Sequence, residues 1–284
     1  MSNKKEVEFL VEKFVNNTSY AGVGAPLIAR MFGVSVNSVK MAKGITKLKM
    51  AELVNPGKRN VLFIGDLHAP FMHKMAIPFI KHMLENNNIT DVVLAGDIQD
   101  NHFSSFHDVD PDGMSENDEF NKAKQQIQAL YKLVPKAMVC SGNHDVIPNR
   151  KAFAAGLSSR WIKGISEALG VPGWEFKDFH EIGDFIFTHG MSQQAISRAR
   201  NLGKSVAQGH YHSKFGIRSF YDTGGKKMLY AIDSGCLIDS QAYAFDYGKF
   251  GPVMLKGLTV INDIEGIPSV SQMTLDQFID IYNG

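Results

Sequence analysis

Val61-Leu62-Phe63-Ile64-Gly65-Asp66-Leu67-His68 is the stretch from which the fold is read. Four consecutive apolar residues suit a short buried strand, and the chain then turns polar at a Gly-Asp pair. The same pattern recurs twice downstream. Val92-Val93-Leu94-Ala95 runs into Gly96-Asp97, and Ala137-Met138-Val139-Cys140 runs into Gly142-Asn143-His144-Asp145. Helical stretches over about 74–86 and 118–133 lie between these runs. A strand–helix–strand–helix–strand order implies parallel pairing through right-handed crossovers. Parallel strands bring their C-terminal ends to one edge, the usual place for a site in such sheets. Asp66, Asp97 and Asn143 can therefore converge. The later half has shorter β-like runs at 185–188, 206–208, 228–232 and 253–261, several separated by Gly and Asp turns. A second sheet packed on the first is the natural reading, and 273–282 reads as a short packed helix.

The 284 residues suffice for one sizeable core and a small appendage. With 44% apolar and 21% charged residues, the composition is that of an ordinary globular protein. No apolar run approaches the roughly 20 residues that span a bilayer. The N-terminus lacks the apolar segment and cleavage site of a secretory signal. Cys140 and Cys236 both sit in apolar surroundings and read as reduced, buried thiols, with a cytoplasmic setting as the default.

Charge divides the chain unevenly. Residues 1–59 carry ten Lys or Arg against four Glu, whereas the remainder is net acidic. An acidic excess suits a region that gathers cations, and a basic head invites a phosphate-rich partner. Within that head, Val7, Leu10, Val11 and Phe14 recur at helical spacing. A second helix fits Ala25–Phe32, Gly33 supplies the turn, and Ser35 caps a third helix over about 36–43. The spacing resembles a helix-turn-helix in which Asn37, Ser38 and Lys40 face a partner such as DNA. A purely structural or oligomerising head fits the same pattern. The expected division is thus a helical region at 1–59 and a main domain at 60–284.

Seven candidate metal ligands fall in five clusters: Asp66 and His68; Asp97; Asn143; His189; and His210 with His212. Carboxylates, imidazoles and one amide delivered by strand ends suit a pair of divalent ions. Asp66 and His68, two apart, share one side of an extended chain. His210 and His212 again straddle one residue. His212 would serve one ion and His210 its neighbour, with Asp97 as the bridging carboxylate.

DLH at 66–68, GD at 96–97, GNHD at 142–145, HG at 189–190 and GHYH at 209–212 together resemble the calcineurin-like metallophosphoesterase family. The resemblance covers roughly residues 60–263. It implies an α/β (αββα) fold, two mixed β-sheets packed as a sandwich and flanked by helices. It places Asp66, His68, Asp97 and His212 on one ion and Asp97, Asn143, His189 and His210 on the other. It makes His144 the catalytic histidine and gives Asp100 the task of orienting it. Two divalent metal ions are implied, manganese foremost, with iron, zinc or nickel as alternatives.

The family's protein phosphatases carry an arginine where Asn101 stands here and a glutamate in place of Asp145. The GNHD form looks more like the branch of phosphodiesterases, nucleases and small-molecule phosphatases. Phosphodiester hydrolysis by metal-activated water, in DNA or another nucleic acid, is the first expectation. A phosphomonoester or nucleotide phosphatase and a catalytically silent DNA-binding or scaffold protein are the alternatives. Several further residues are candidates for lesser roles. The loop at 100–113 borders the pocket, and its His102 and His107 read as scattered surface histidines before third-site ligands or substrate contacts. Arg198, Arg200 and Lys204 are candidates for a second phosphate. Trp161 and Trp174 read as aromatic packing before base stacking. Phe245, Tyr247 and Phe250, with the C-terminal apolar residues, are candidates for core or a subunit contact in a homo-oligomer.

Overall fold

Val61–Ile64 forms strand β1, buried at all four residues. The computed structural model describes residues 4–16, 20, 23–54, 58–106, 110, 112–242, 244 and 252–283, the side chains of 15, 16, 47–54 and 159 excepted. His107, Phe245, Tyr247 and Phe250 lie outside the described residues. The chain divides into two compact units, Met1–Lys58 and Arg59–Gly284.

In the larger unit, β1 pairs in parallel with β2 (Asp91–Leu94). β3 (Ala137–Cys140) and β4 (Trp174–Lys177) continue the parallel run. On the other side of β1 the antiparallel strands β10 (Gly257–Asn262) and β11 (Ser269–Thr274) complete a six-stranded sheet. The second sheet has five strands. β5 (Phe179–Ile182) and β6 (Phe185–Thr188) are antiparallel, β7 (Ser205–Gln208) and β9 (Met228–Ser234) are parallel to β6, and β8 (Phe215–Tyr221) closes the edge antiparallel to β9.

The period of two along each strand builds the layers. Val61, Phe63 and Val93 point between the sheets and meet Phe185, Phe187, Ala207 and Ile232. Phe63 stands edge-on to Phe187 with ring centroids 5.3 Å apart. Each such buried ring contributes about 2–3 kcal/mol of transfer free energy. Leu62, Ile64 and Leu94 point the other way, toward helices α4 (Ala76–Asn86), α5 (Glu116–Leu133) and α9 (Leu275–Asn283), through Phe79, Ile127, Leu130 and Phe278. Helix α8 (Ala195–Leu202) covers the outer face of the second sheet with Ala195 and Ala199 against Val206 and Ala231. The result is an αββα sandwich of two mixed sheets. Helices α6 (Ile147–Ala154) and α7 (Ile165–Leu169) follow β3.

The smaller unit contains α1 (Lys4–Asn16), α2 (Ala25–Phe32) and α3 (Val36–Val54) around Leu10, Phe14, Ile28 and Val39. Gly33 ends α2 with φ +64°. Ser35 Oγ accepts the Ser38 N–H at 3.0 Å, and Ser38 Oγ donates to Glu6 at 2.6 Å. The third helix extends well past residue 43. Helix formers outnumber breakers through Leu53, and Gly44 alone does not stop it. Conversely, the apolar run from Val253 yields a strand only from Gly257, because Val253 is exposed at 80% and Leu255 serves as a carbonyl acceptor for Cys236. Among the described residues no helix is long and apolar enough to cross a membrane.

Candidate metal centre

Asp66 leaves β1 fully buried. Its Oδ2 accepts the His210 N–H at 2.9 Å and lies 3.1 Å from His212 Nε2. The loop after β7 is thereby tied to the loop after β1, and Asp66, His68 and His212 present ligand atoms within 4.8 Å of one another. Asp97, His189 and His210 form a second such group. One oxygen connects the two groups: Asp97 Oδ2 lies 3.5 Å from His68 Nε2 and 3.2 Å from His189 Nε2.

Hydrogen bonds define the histidine tautomers. His189 Nδ1 is 3.1 Å from the Ala95 carbonyl, which can only accept, so Nδ1 carries a proton. Nε2 then faces Asn143 Oδ1 at 2.9 Å, His210 Nδ1 at 3.2 Å and Asp97. Electron-pair donors converge here with too few protons to satisfy one another, so the cluster draws positive charge. Burial alone would depress the His189 pKa, but Asp66, Asp97 and Asp145 reverse this and lift it to about 9. Burial likewise pushes Asp97 upward, yet the His189 hydrogen bond and neighbouring imidazoles hold it below the usual carboxylate range. A divalent ion meets the same electrostatic demand. The set of carboxylate, imidazole and amide donors fits hard-to-borderline metals, and these clusters can hold them.

Asp100 and His144 also sit at the centre, in a different relation from the simple pairing expected. The Asp100 carboxylate is buried and goes to His68 Nδ1 at 2.5 Å. His144 Nδ1 instead donates to the Asp100 backbone carbonyl at 2.6 Å, with the carboxylate 3.7 Å away. Burial works against protonation of His144, but Asp97 and Asp100 outweigh it and raise its pKa above the ordinary value.

The backbone is strained where the clusters meet. His68, Asp97 and His210 have φ of +46°, +45° and +71°. Each such conformation costs an L-residue about 1–2 kcal/mol and persists only under restraint from its surroundings. Asp145 supplies restraint that sequence reasoning left unassigned. Its carboxylate accepts backbone N–H groups of Ile98, Gln99 and Gly142 at 3.0–3.2 Å, joining the loops after β2 and β3. A side chain at Gly142 would collide with Asp97, and one at Gly209 with Asp66. Glycines beside ligand-type residues are the signal in the sequence for such close approach.

Other candidates fall elsewhere. His102 is mostly buried, and its Nε2 accepts the Asp110 N–H at 3.3 Å, so it is not a scattered surface histidine. Lys204 pairs with Glu181 at 2.9 Å, and Arg200 lies over the Phe220 ring. Trp174 is buried, its Nε1–H bonded to the Val134 carbonyl. The packing expected for Trp161 is wrong: that ring is 83% exposed. Cys140 and Cys236 are buried free thiols.

Metal-binding Asp/His clusters at the strand exits of an αββα sandwich are the architecture of the metal-dependent phosphoesterase superfamily. Residues 59–235 match the sequence model of the calcineurin-like phosphoesterases, and the chain belongs to that family. No curated protein matches it significantly. Similar solved structures include Vps29 from Cryptosporidium parvum, 16% identical over 76% of this chain and 98% of that one, TM-score 0.41. Vps29 from Chaetomium thermophilum is 14% identical over 76% and 97%, TM-score 0.38. The phosphoesterase Yfce from E. coli is 12% identical over 76% and 99%, TM-score 0.39.

Proposed function

We propose that this chain is a dinuclear-metal phosphoesterase that hydrolyses phosphodiester bonds. The observation that carries the reading is the single oxygen Asp97 Oδ2 facing a histidine from each cluster. In this reading Asp66, His68, Asp97 and His212 hold one ion, and Asp97, Asn143, His189 and His210 hold the other. Two divalent ions, manganese foremost and iron, zinc or nickel as alternatives, supply an activated water and neutralise phosphoryl oxygens when bound. Asp100 fixes the His68 ring through Nδ1, leaving Nε2 toward Asp97. With Nδ1 of His144 committed to the Asp100 carbonyl, its Nε2 is the atom left to steady the transition state or give a proton to the leaving oxygen.

The preference for diesters rests on Asn101. Its amide donates to the His144 carbonyl at 2.9 Å, so the position braces the histidine loop and offers no arginine to a terminal phosphate. The test is manganese-dependent turnover of bis(p-nitrophenyl) phosphate beside p-nitrophenyl phosphate. Preference for the diester is expected, preference for the monoester would shift the assignment to a phosphatase, and no turnover of either despite bound metal would favour the silent scaffold.

DNA contact by residues 1–59 is a second proposal. The α2–Gly33–α3 corner supports it, with Asn37 and Lys40 exposed at the start of α3; Ser38, expected to face the partner with them, is instead buried and spent on Glu6. Lys40→Glu should weaken binding to duplex DNA and flatten its salt dependence. Equal binding by wild type and variant would leave the unit a structural or oligomerising head.

A further inference from the structure

The segment immediately after the GNHD turn is unlike the rest of the surface. Residues 146–166 contain Arg150, Lys151, Arg160 and Lys163 and no acidic residue. All four cations are exposed. Interleaved with them, Phe153 and Trp161 are each 83% exposed. Phe153 shares a groove wall with Leu157, itself 54% exposed, and an exposed apolar patch of this kind marks an interaction surface. Helix α6 buries only Ile147 and turns its remaining residues outward. Arg150 and Lys151 also lie 4.7 and 5.6 Å from the centroid of the Phe106 ring, which is half-exposed.

The surface is concave. A groove of about 740 Å³ is lined by Arg150, Phe153, Leu157 and Ile162. It shares Asn149 and Ile162 with a cavity of about 480 Å³ whose wall includes Asn101 and Asp145. Those two residues brace the loop that carries His144. The cavity thus reaches the residues that brace the His144 loop, and the adjoining groove reaches Phe153.

We propose that residues 147–164 form a platform for single-stranded nucleic acid, with Phe153 and Trp161 stacking on bases and Arg150, Lys151, Arg160 and Lys163 meeting phosphates. The inference rests on the phosphodiesterase reading, to which it adds a substrate class and a binding track. Cations spaced among rings match a strand that alternates charge with flat bases. A membrane surface would call for an apolar face with cations at its margin, whereas here cations and rings interleave along the segment, with Arg150 and Phe153 both on the groove wall. Duplex DNA keeps its bases stacked inside and would leave the rings idle.

The test uses the full chain in EDTA, so that binding is read apart from turnover. Titration with a fluorescein-labelled oligo(dT) 12-mer should quench tryptophan emission, because Trp174 is buried and Trp161 is the other tryptophan in the chain. By anisotropy, Phe153→Ala with Trp161→Ala should weaken binding at least tenfold, in line with losses per stacked base. Arg150→Gln with Arg160→Gln should lower the slope of log K against log salt by about 1.4, at about 0.7 per phosphate contact. Unchanged melting temperatures would confirm folding of these surface variants. Unchanged affinity in the double-alanine variant, or binding to phosphatidylserine vesicles without binding to the oligonucleotide, would overturn the proposal. Turnover of bis(p-nitrophenyl) phosphate by the wild type is measured separately. Its failure would strike the phosphodiesterase reading while the binding result stood on its own.

Discussion

Asp97 holds its place through two oxygens with different duties. Oδ1 accepts the His144 N–H at 2.8 Å, which orders the loop, while Oδ2 faces both histidine clusters. Asp97→Asn replaces one oxygen by a donor and removes the charge both clusters use. Activity should fall by at least about 100-fold, since losing one supporting partner alone costs about 10–100-fold. Metal content by plasma mass spectrometry should fall with it. A variant that keeps two ions and full turnover would remove Asp97 from the bridging position. Asp100 makes a finer test, because it acts through His68 at 2.5 Å. Asp100→Asn keeps the shape but loses the charge behind the imidazole, so manganese affinity should weaken about tenfold or more. Manganese titration followed by turnover reads this directly, and excess metal should restore part of the rate. An unchanged titration would leave Asp100 with only its backbone carbonyl in play.

At the scale of elements, β1 is held at its start as well as at the end that leads into Asp66. Arg59 places two nitrogens on Asp91 at 2.8 and 3.1 Å and a third on Glu265 at 2.8 Å, joining the starts of β1 and β2 to the turn after β10. Burial raises the Asp91 pKa, but hydrogen bonds from Arg59 and Thr90 outweigh it and leave it lowered. A lowered folded pKa means stabilisation that is present above the unfolded value, near 4, and lost as pH falls through the folded one. Arg59→Leu should cost about 0.5–1 kcal/mol at pH 7, a modest figure because the guanidinium is partly exposed and solvent-screened. The gap between wild type and variant, measured by urea denaturation, should narrow below about pH 4. A gap that stays constant down to pH 3 would assign the effect to packing of the arginine stem.

Across the whole molecule, legibility follows how much local physics decides. The strands β1, β2 and β3 were readable because buried parallel strands are apolar without interruption. β4, β5, β8 and β11 were not, since half-exposed sequences such as WEFK and SVSQMT take their structure from a neighbouring strand. The candidate ligands were legible as motifs at strand exits, and all seven lie together at the centre. Three things were not legible: the Asp145 clasp, the division of Asp100 between His68 and His144, and the exposure of Trp161. The first two depend on which loops meet at the centre. That dependence yields a global prediction. The centre is assembled from loops after β1, β2, β3, β6 and β7, so an ion bound there holds both sheets and is absent from the unfolded chain. Manganese at 100 times its dissociation constant should then add about 2.7 kcal/mol to stability. For a unit of this size that corresponds to roughly 5–10 °C in unfolding midpoint. Thermal denaturation with manganese against EDTA measures the shift, and Asp97→Asn should abolish it. If the midpoint is the same in both buffers while metal analysis finds two ions per chain, the ions sit on the surface and the centre proposed here is not where they bind.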